Sequence, residues 1–404
     1  MKWTKAIAAF VVLPLLAIAS MPTLAEPVTI KRLDGSSISS TEVETQVTRM
    51  MAASCVTGLG IAILNDNKIV YTKSFGWRDK DQQLPLTEDT IMYGASFTKA
   101  VFATLVSQLV TEGVLDLDVP IQKYLPKPLP DYDNYRDLAD DPRYLTITLR
   151  MLLNHTAGFA NFRWLNASKK LEIKFTPGSR YAYSGEGIYL AQLVVETVTG
   201  KKTGDLIQER IFNPLGMHNT SMQWQDRFSD NLAVGHDAKE KPMDHVKRKK
   251  VHAAGSMDTT LNDYAHFIQG VMQASIISKD AKAIMLAPQI AITTPTQFPT
   301  LSTTSSDDNK PIQLSYGLGW GIFQTPHGKA YFKEGHDDGW ENHSVVFDDQ
   351  KTAVVIMSNS ANGDHIFKDL LELLIRDVYT PWKWEGYVPL QCSRVVMGSL
   401  GSEK

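Results

Sequence analysis

Ser96 and Lys99 are the residues of this chain whose types and spacing most clearly point to chemistry. They stand in the segment Tyr93-Gly94-Ala95-Ser96-Phe97-Thr98-Lys99, which contains the single S-x-x-K pattern of the sequence. On a helix, side chains three positions apart share a face, so the lysine amine would lie beside the serine hydroxyl. A free serine is a weak nucleophile near neutral pH and needs a neighbour that accepts its proton. The pair therefore predicts nucleophilic catalysis by serine.

The residues that follow predict the helix that would hold this pair. Apolar side chains recur at helical spacing between Ala100 and Leu115, and Gly94 with Ala95 allows a tight entry. We therefore expect Ser96 on the first turn of a mostly buried helix, where the dipole favours developing negative charge. The S-x-x-K pattern alone is a weak signal, because Ser and Lys are common and a surface pair would look the same. Other segments of the chain are needed to distinguish a catalytic pair from a surface pair.

Strand patterns occur towards both ends of the chain, and helical patterns dominate the middle. The predicted strands are 58–64, 68–75, 318–324, 330–335, 342–348 and 352–358, and the predicted helices are 100–115, 148–153, 187–199, 202–211, 262–273 and 363–379. This order predicts one sheet domain built from both termini, residues 26–95 and 305–404. A mainly helical domain, residues 96–304, would be inserted between its two parts.

The first 25 residues predict a secretory signal peptide. Lys2 and Lys5 give a positive start, residues 6–19 an apolar core, and Thr23-Leu24-Ala25 a small-residue cleavage site. The apolar core is too short to span a bilayer, which takes about 20 residues. No cysteine follows the cleavage site, so we expect no stable membrane anchor. The mature chain is predicted to be secreted or periplasmic.

Net charge, the two cysteines and the histidine pattern bear on the expected partners, disulfide and cofactors. The net charge of −3 gives no overall attraction to nucleic acid, so no nucleic-acid partner is expected. Export would permit a disulfide between Cys55 and Cys392, but two free thiols fit the sequence equally well. His336-Asp337-Asp338 could suggest metal ligands, yet no H-E-x-x-H pattern or second ligand pair accompanies them. We predict no metal site and no other cofactor.

Further segments, taken with the S-x-x-K pair, carry a resemblance to a known superfamily. They are 146–159, 175–185, 211–217 and 335–340. With them the chain resembles the serine β-lactamase, DD-peptidase and esterase superfamily, nearest its class C and esterase branches, in order from about Gly58 to Ser360. The resemblance implies an α+β, β-lactamase-like fold: an antiparallel sheet flanked by terminal helices, with an inserted helical domain.

The resemblance also implies catalytic roles. The superfamily's Y-x-N pattern falls on Tyr183-Ser184-Gly185. Ser96 would attack a carbonyl and form an acyl-enzyme that water then hydrolyses. Lys99, held as a cation, would lower the pKa of Tyr183 so that its phenolate accepts the serine proton. The sequence does not decide whether the lysine or the tyrosine is the base.

The third pattern of the superfamily, K-T-G or H-x-G, falls on His336-Asp337-Asp338. The oxyanion hole would then use the backbone N–H groups of Ser96 and, by position, Gly339. His336 replaces the lysine typical of potent β-lactamases, and Asp338 replaces the glycine. The Asp338 carboxylate would repel the carboxylate of penicillins and cell-wall peptides. Gly185, in the place of the asparagine, removes an amide that would bind an acyl-amide substrate.

These departures favour an exported serine hydrolase that cleaves a small ester or amide. The alternatives are a class C-like β-lactamase, a D-alanyl-D-alanine carboxypeptidase, or a non-catalytic binding protein on the same fold. The expected partner is a small-molecule ester, amide or β-lactam. His155 is interpreted as a structural histidine bonded to backbone. The aromatic residues near the C-terminus are interpreted as packing on the sheet domain; they are Trp382, Trp384 and Tyr387.

Overall fold

The computed structural model describes residues 27–389 and Cys392. The predicted signal peptide, residues 1–25, lies outside the described residues. In the described part of the chain, no helix combines the length and apolar character needed to cross a membrane.

The described chain contains short and long elements of both kinds. The strands are β1 Thr29–Lys31, β2 Ser37–Ser39, β3 Gly58–Asn65, β4 Lys68–Asp79, β5 Leu84–Pro85, β6 Met92–Tyr93, β7 Gly235–His236, β8 Pro242–Met243, β9 Asp258–Thr259, β10 Ile290–Ala291, β11 Ser315–Tyr316, β12 Gly321–Thr325, β13 Gly328–Asp337, β14 Trp340–Phe347 and β15 Thr352–Ser358. The helices are α1 Ser40–Ser54, α2 Phe97–Thr111, α3 Leu149–Leu153, α4 Gly185–Thr199, α5 Thr203–Ile207, α6 Leu261–Gln273, α7 Lys279–Met285, α8 Phe367–Ile375 and α9 Trp382–Glu385.

One large antiparallel sheet joins the two ends of the chain. Among the described residues its strand order is β10-β11-β12-β13-β14-β15-β3-β4-β5. The N-terminal strand β3 pairs with the C-terminal strand β15, with Ile61 opposite Ile356. The predicted α+β class with an antiparallel sheet is therefore confirmed. Its edge strand β10 comes from the segment that the sequence predicted to be mainly helical.

Both faces of this sheet are buried, and β3 shows why. Ile61 and Ile63 belong to a core shared with α1 and α8, whereas Ala62 and Leu64 belong to a second core shared with α2, α4 and α6. Successive strand side chains point to opposite faces, so a strand covered on both sides must be apolar throughout. The terminal helices cover one face, and the helices from the middle of the chain cover the other.

A disulfide fixes the C-terminal segment to the body of the protein. The sequence left open whether Cys55 and Cys392 are bonded, and the structure joins them with Cα atoms 5.6 Å apart. The backbone N–H of Cys392 also donates to the Ala53 carbonyl at 2.8 Å. Earlier in the same segment, Trp384 is buried, with its ring against that of Phe332. The last described residues are thus held on the sheet by covalent and apolar contacts.

We expect the disulfide to stabilise the C-terminal segment. Replacing both cysteines, Cys55→Ser with Cys392→Ser, should lower the free energy of unfolding by about 2–5 kcal/mol, because an open chain gains conformational entropy when it unfolds. Urea unfolding measures this change, and hydrogen exchange should quicken at residues 382–387. Wild type in reductant is the matched control and should behave like the variant. An unchanged urea midpoint in reductant would contradict the prediction.

Candidate active site

Ser96 lies at the start of α2, in a backbone turn that is held firmly. Ala95 before it has a φ of 45°, in the left-handed region that a non-glycine residue rarely adopts. The Thr98 hydroxyl donates to the Ala95 carbonyl at 2.6 Å, and the N–H of Gly94 donates to Met257 O at 2.9 Å. Such strain persists where the surrounding structure fixes it, and it is common at active sites. Here it sets the direction of the Ser96 side chain.

Lys99 lies one helical turn further along and is buried. Its Nζ donates to Ser96 Oγ at 2.9 Å and to the Ala254 carbonyl at 2.7 Å. Only 1% of Lys99 is exposed. Burial, and then the nearby Lys333 cation, hold the pKa of Lys99 well below its usual value. The site therefore favours a neutral amine, which can accept a proton from the serine.

Tyr183 comes from the residues just before α4, whose N-cap is Ser184. The Tyr183 ring centroid lies 4.9 Å from Lys99 Nζ, and Lys333 Nζ donates to its hydroxyl at 3.4 Å. Burial, then the Glu334 carboxylate, raise the pKa of Tyr183 well above its usual value, although a hydrogen bond with Ser96 acts in the other direction. The site favours the neutral phenol over the phenolate that the sequence analysis expected. Burial thus disfavours the phenolate of Tyr183 just as it disfavours the ammonium form of Lys99.

His155 packs against the Tyr183 ring and binds the backbone next to it. Its Nδ1 accepts the backbone N–H of Ser184 at 3.2 Å, and its ring centroid is 4.4 Å from that of Tyr183. Burial is the main reason why the pKa of His155 is well below its usual value, and the nearby Lys333 charge acts in the same direction, so the ring stays neutral. This geometry agrees with a structural histidine bonded to backbone.

The segment Lys333-Glu334-Gly335 of β13 passes directly beside the serine turn. A Cβ added to Gly335 would lie 2.6 Å from Gly94 O and 3.3 Å from Phe97 N. Only glycine therefore lets the strand come this close. The strand β12 pairs with β13 only as far as Phe332, so in the described chain residues 333–337 have a ladder partner on one side alone. This K-x-G pattern was not among the motifs predicted from the sequence.

The structure places the predicted third motif differently. His336 lines the same cavity as Ser96, but its Nδ1 lies 2.6 Å from Glu341 Oε1. This hydrogen bond raises the pKa of His336 to about 9. Asp338 and Gly339 form the turn between β13 and β14, and neither is among the residues that line the cavity. On β13 the carboxylates that line the cavity are those of Glu334 and Asp337, whereas Asp338 is not among the lining residues.

The cavity has a volume of about 550 Å³. Its lining includes Ser96, Lys99, Tyr183, Asn161, Glu334, His336, Asp364, Glu385 and Tyr387. Tyr387, predicted to serve packing, therefore also borders the site. At Gly185 an added Cβ would lie 2.6 Å from the Phe162 ring, so no side chain fits. The Asn161 Oδ1 accepts the Gly185 N–H at 3.0 Å and brings a side-chain amide to that part of the wall.

Comparison with known proteins shows which family the chain belongs to. Penicillin-binding protein 4* of Bacillus subtilis (strain 168) is 23% identical over 329 residues, which cover 72% of this chain and 65% of that protein. Lovastatin esterase of Penicillium rubens is 31% identical over 176 residues, 37% of this chain and 44% of that protein. The chain thus spans two thirds or less of the length of these two relatives.

Solved structures share the fold. The beta-lactamase/D-alanine carboxypeptidase from Pseudomonas syringae matches with a TM-score of 0.67 at 18% identity, over 86% of this chain and 99% of that one. The octameric penicillin-binding protein homologue from Pyrococcus abyssi also has a TM-score of 0.67, at 22% identity over 86% and 79% of the two chains. A family model described as Beta-lactamase matches residues 43–376. The chain belongs to this family of serine hydrolases, and the fold predicted from the resemblance is confirmed.

Proposed function

We propose that the protein is an exported serine hydrolase that cleaves small esters or amides through an acyl-enzyme on Ser96. The observation that carries the proposal is the 2.9 Å contact between Lys99 Nζ and Ser96 Oγ at a buried site. A serine becomes a useful nucleophile when an adjacent group takes its proton. Relatives whose names denote a lovastatin esterase and a penicillin-binding protein support acyl transfer as the reaction class.

In this proposal Lys99 acts as the base in its neutral form. Burial favours that form, and the Ala254 carbonyl fixes the amine through a 2.7 Å hydrogen bond. Tyr183 stays a phenol and relays the proton between Ser96 and the leaving group, with Lys333 beside its hydroxyl. The proton that leaves the serine during attack is then delivered to the departing oxygen or nitrogen, as general acid–base catalysis requires.

The oxyanion hole is assigned to the serine turn and the neighbouring strand. The N–H of Ser96 at the start of α2 is one donor, and the helix dipole adds to its effect. The second donor is assigned to the backbone of His336, because Gly335 before it passes closest to the Gly94–Phe97 segment. Lys333-Glu334-Gly335 then has the role of the K-T-G pattern. Gly339, the earlier candidate, lies in the β13–β14 turn.

The choice between a neutral ester and a β-lactam depends on Glu334. Lys333 beside Tyr183 favours the second candidate, a class C-like β-lactamase or D-alanyl-D-alanine carboxypeptidase. Glu334, however, puts a carboxylate on the cavity wall, where it would repel a substrate carboxylate. We therefore favour esters and amides without a carboxylate.

The Cys55–Cys392 disulfide supports export, because such bonds persist in oxidising compartments.

Replacing the nucleophile should abolish catalysis without unfolding the protein. Ser96→Ala should reduce hydrolysis of p-nitrophenyl acetate to the level without enzyme, because no other group can form the acyl-enzyme. Labelling by a fluorophosphonate probe should also disappear, while circular dichroism stays as in wild type. Turnover within tenfold of wild type would refute the assignment. An unlabelled wild-type serine without turnover would instead favour a non-catalytic binding protein.

The identity of the base can be tested at Lys99. Lys99→Arg keeps a positive charge but cannot accept a proton, so kcat/KM should fall at least about a hundredfold. In wild type, activity should be lost as pH falls through the lowered pKa of Lys99, because the amine becomes protonated. Tyr183→Phe should keep this acid limb. Lys99→Met, of similar length, controls for packing through its melting temperature. An active Lys99→Arg variant would mean that the charge alone is needed.

The close approach of β13 can be tested at Gly335. Gly335→Ala should lower kcat/KM at least about tenfold, because the new methyl group meets Gly94 O at 2.6 Å and pushes the strand away from Ser96. Gly187→Ala in α4 is the matched control. Its Cβ would meet nothing closer than 3.6 Å, and the helix should tolerate or gain from it. Equal activity of the two variants would separate β13 from the catalytic site.

A further inference from the structure

Carboxylates are concentrated on the wall of the cavity that holds Ser96. The acidic lining residues are Glu334 and Asp337 from β13, Asp364 from the turn before α8, and Glu385 from α9. None of them has a place in the proton transfer proposed above. Their presence in a substrate cavity therefore needs a separate explanation.

Glu385 is the most telling of these groups. Its side chain is only 1% exposed, and neither carboxylate oxygen has a hydrogen-bond partner among the described residues. The nearest basic group given by the structure is the His343 imidazole, whose Nδ1 lies 3.3 Å from Oε2 outside hydrogen-bond geometry. A buried carboxylate without a donor is costly. Burial accordingly raises the pKa of Glu385 above its usual value.

Two further carboxylates of the wall share this condition. Glu334 Oε2 and Asp364 Oδ1 are buried and, in the described part of the chain, without a hydrogen-bond partner. Burial raises the pKa of Asp364 as well. Three carboxylates with unbonded oxygens thus line one cavity. A bound cation, or a ligand group with several hydrogen-bond donors, would provide the missing partners.

The protein's own cations near the wall are already engaged. Lys333 Nζ lies 2.7 Å from Glu334 Oε1, and Arg248 lies 3.6 Å from Asp337 while it stacks on the Tyr93 ring. Within the described residues no lysine or arginine nitrogen lies within 4.0 Å of Glu385 or Asp364. The nearest basic groups are histidines, at 3.3 Å and 3.8 Å. No lysine or arginine of the described chain therefore forms an ion pair with either carboxylate.

We propose that the carboxylates of Glu385, Asp364 and Glu334 bind a positively charged ammonium group of the substrate. The enzyme would then hydrolyse cationic esters or amides in preference to neutral ones, and anionic substrates least. The turnover part of this inference rests on the proposed function, whereas the binding preference does not. An ammonium group donates to several acceptors at once, and its charge is attracted by every carboxylate on the wall.

Two sets of matched probes test this preference. The p-nitroanilides of alanine, isobutyric acid and methylmalonic acid differ only in an ammonium, a methyl or a carboxylate group beside the carbonyl. Acetylthiocholine and 3,3-dimethylbutyl thioacetate place the charge, or its neutral isostere, on the leaving group. For wild type at low salt, one ammonium probe at least should exceed its neutral isostere about tenfold in kcat/KM, because its positive charge is attracted by the carboxylates of the wall. The carboxylate probe should be slowest. The absence of any ammonium preference in both sets would overturn the proposal.

Charge removal on the wall gives a second test. Glu385→Gln with Asp364→Asn keeps the shape of both side chains and should reduce the ammonium-to-neutral ratio to within about threefold of one. Glu372→Gln on the exposed side of α8 is the control and should leave the ratio as in wild type. A double variant with the wild-type ratio would remove these residues from the cation site. If the double variant does not fold, the decline of the wild-type ratio with added salt decides the point, and a constant ratio refutes it.

Binding to Ser96→Ala separates this inference from the proposed function. Calorimetry should show tighter binding of alanine p-nitroanilide than of its isobutyryl isostere, by about tenfold, with the methylmalonyl probe weakest. That order without turnover or fluorophosphonate labelling of the wild type would support the cation site while the serine hydrolase assignment fails. Turnover of neutral esters by wild type, with equal binding of all three probes to Ser96→Ala, would refute the cation site and leave the hydrolase intact.

Discussion

The contact between a buried lysine amine and the serine hydroxyl is the constraint on which the site depends. Lys99 is almost completely enclosed, so its charged form lacks the solvation that an exposed lysine has. In the proposed mechanism, the neutral amine, 2.9 Å from Ser96 Oγ, accepts the serine proton. The burial of α2, whose positions from Phe97 to Ser107 are enclosed almost throughout, is therefore part of the chemistry. A more exposed helix would hold the same two residues with a protonated lysine.

The amine of Lys333 helps to keep Lys99 neutral. Lys333 lies against the Tyr183 hydroxyl at 3.4 Å and is itself buried, and its charge opposes protonation of Lys99. Glu334, 2.7 Å away, compensates the Lys333 charge. One compensated and one neutral lysine can share a small volume, whereas two uncompensated cations would repel each other strongly. Gly335 completes the arrangement, because only a strand without a side chain there brings Lys333 so close to the serine turn.

Much of this could be read from the sequence, and the exceptions have physical causes. Periodicity located β15 at its observed bounds and most of α2, because both are long runs with one clear pattern. Two-residue strands such as β10 leave no such pattern. The motif residues Ser96, Lys99 and Tyr183 meet in one cavity. Lys333 was missed although Lys333-Glu334-Gly335 keeps the glycine that His336-Asp337-Asp338 lacks, and the close approach of Gly335 to the serine turn is visible only in three dimensions. Glu385 reaches the cavity through tertiary packing near the disulfide, which local sequence does not encode.

The origin of the side chains divides the cavity into two parts. The serine, its lysine and its tyrosine come from the turn before α2 and the residues before α4, where each position is fixed by helix starts and backbone contacts. All four acidic lining residues lie outside those segments, on β13, just before α8 and in α9, and the segment after α9 is held through Cys55–Cys392. A change in the carboxylates would alter the charge that a substrate meets but leave the Lys99–Ser96 contact in place. In the proposed mechanism, one set of acyl-transfer residues can therefore serve substrates of different charge.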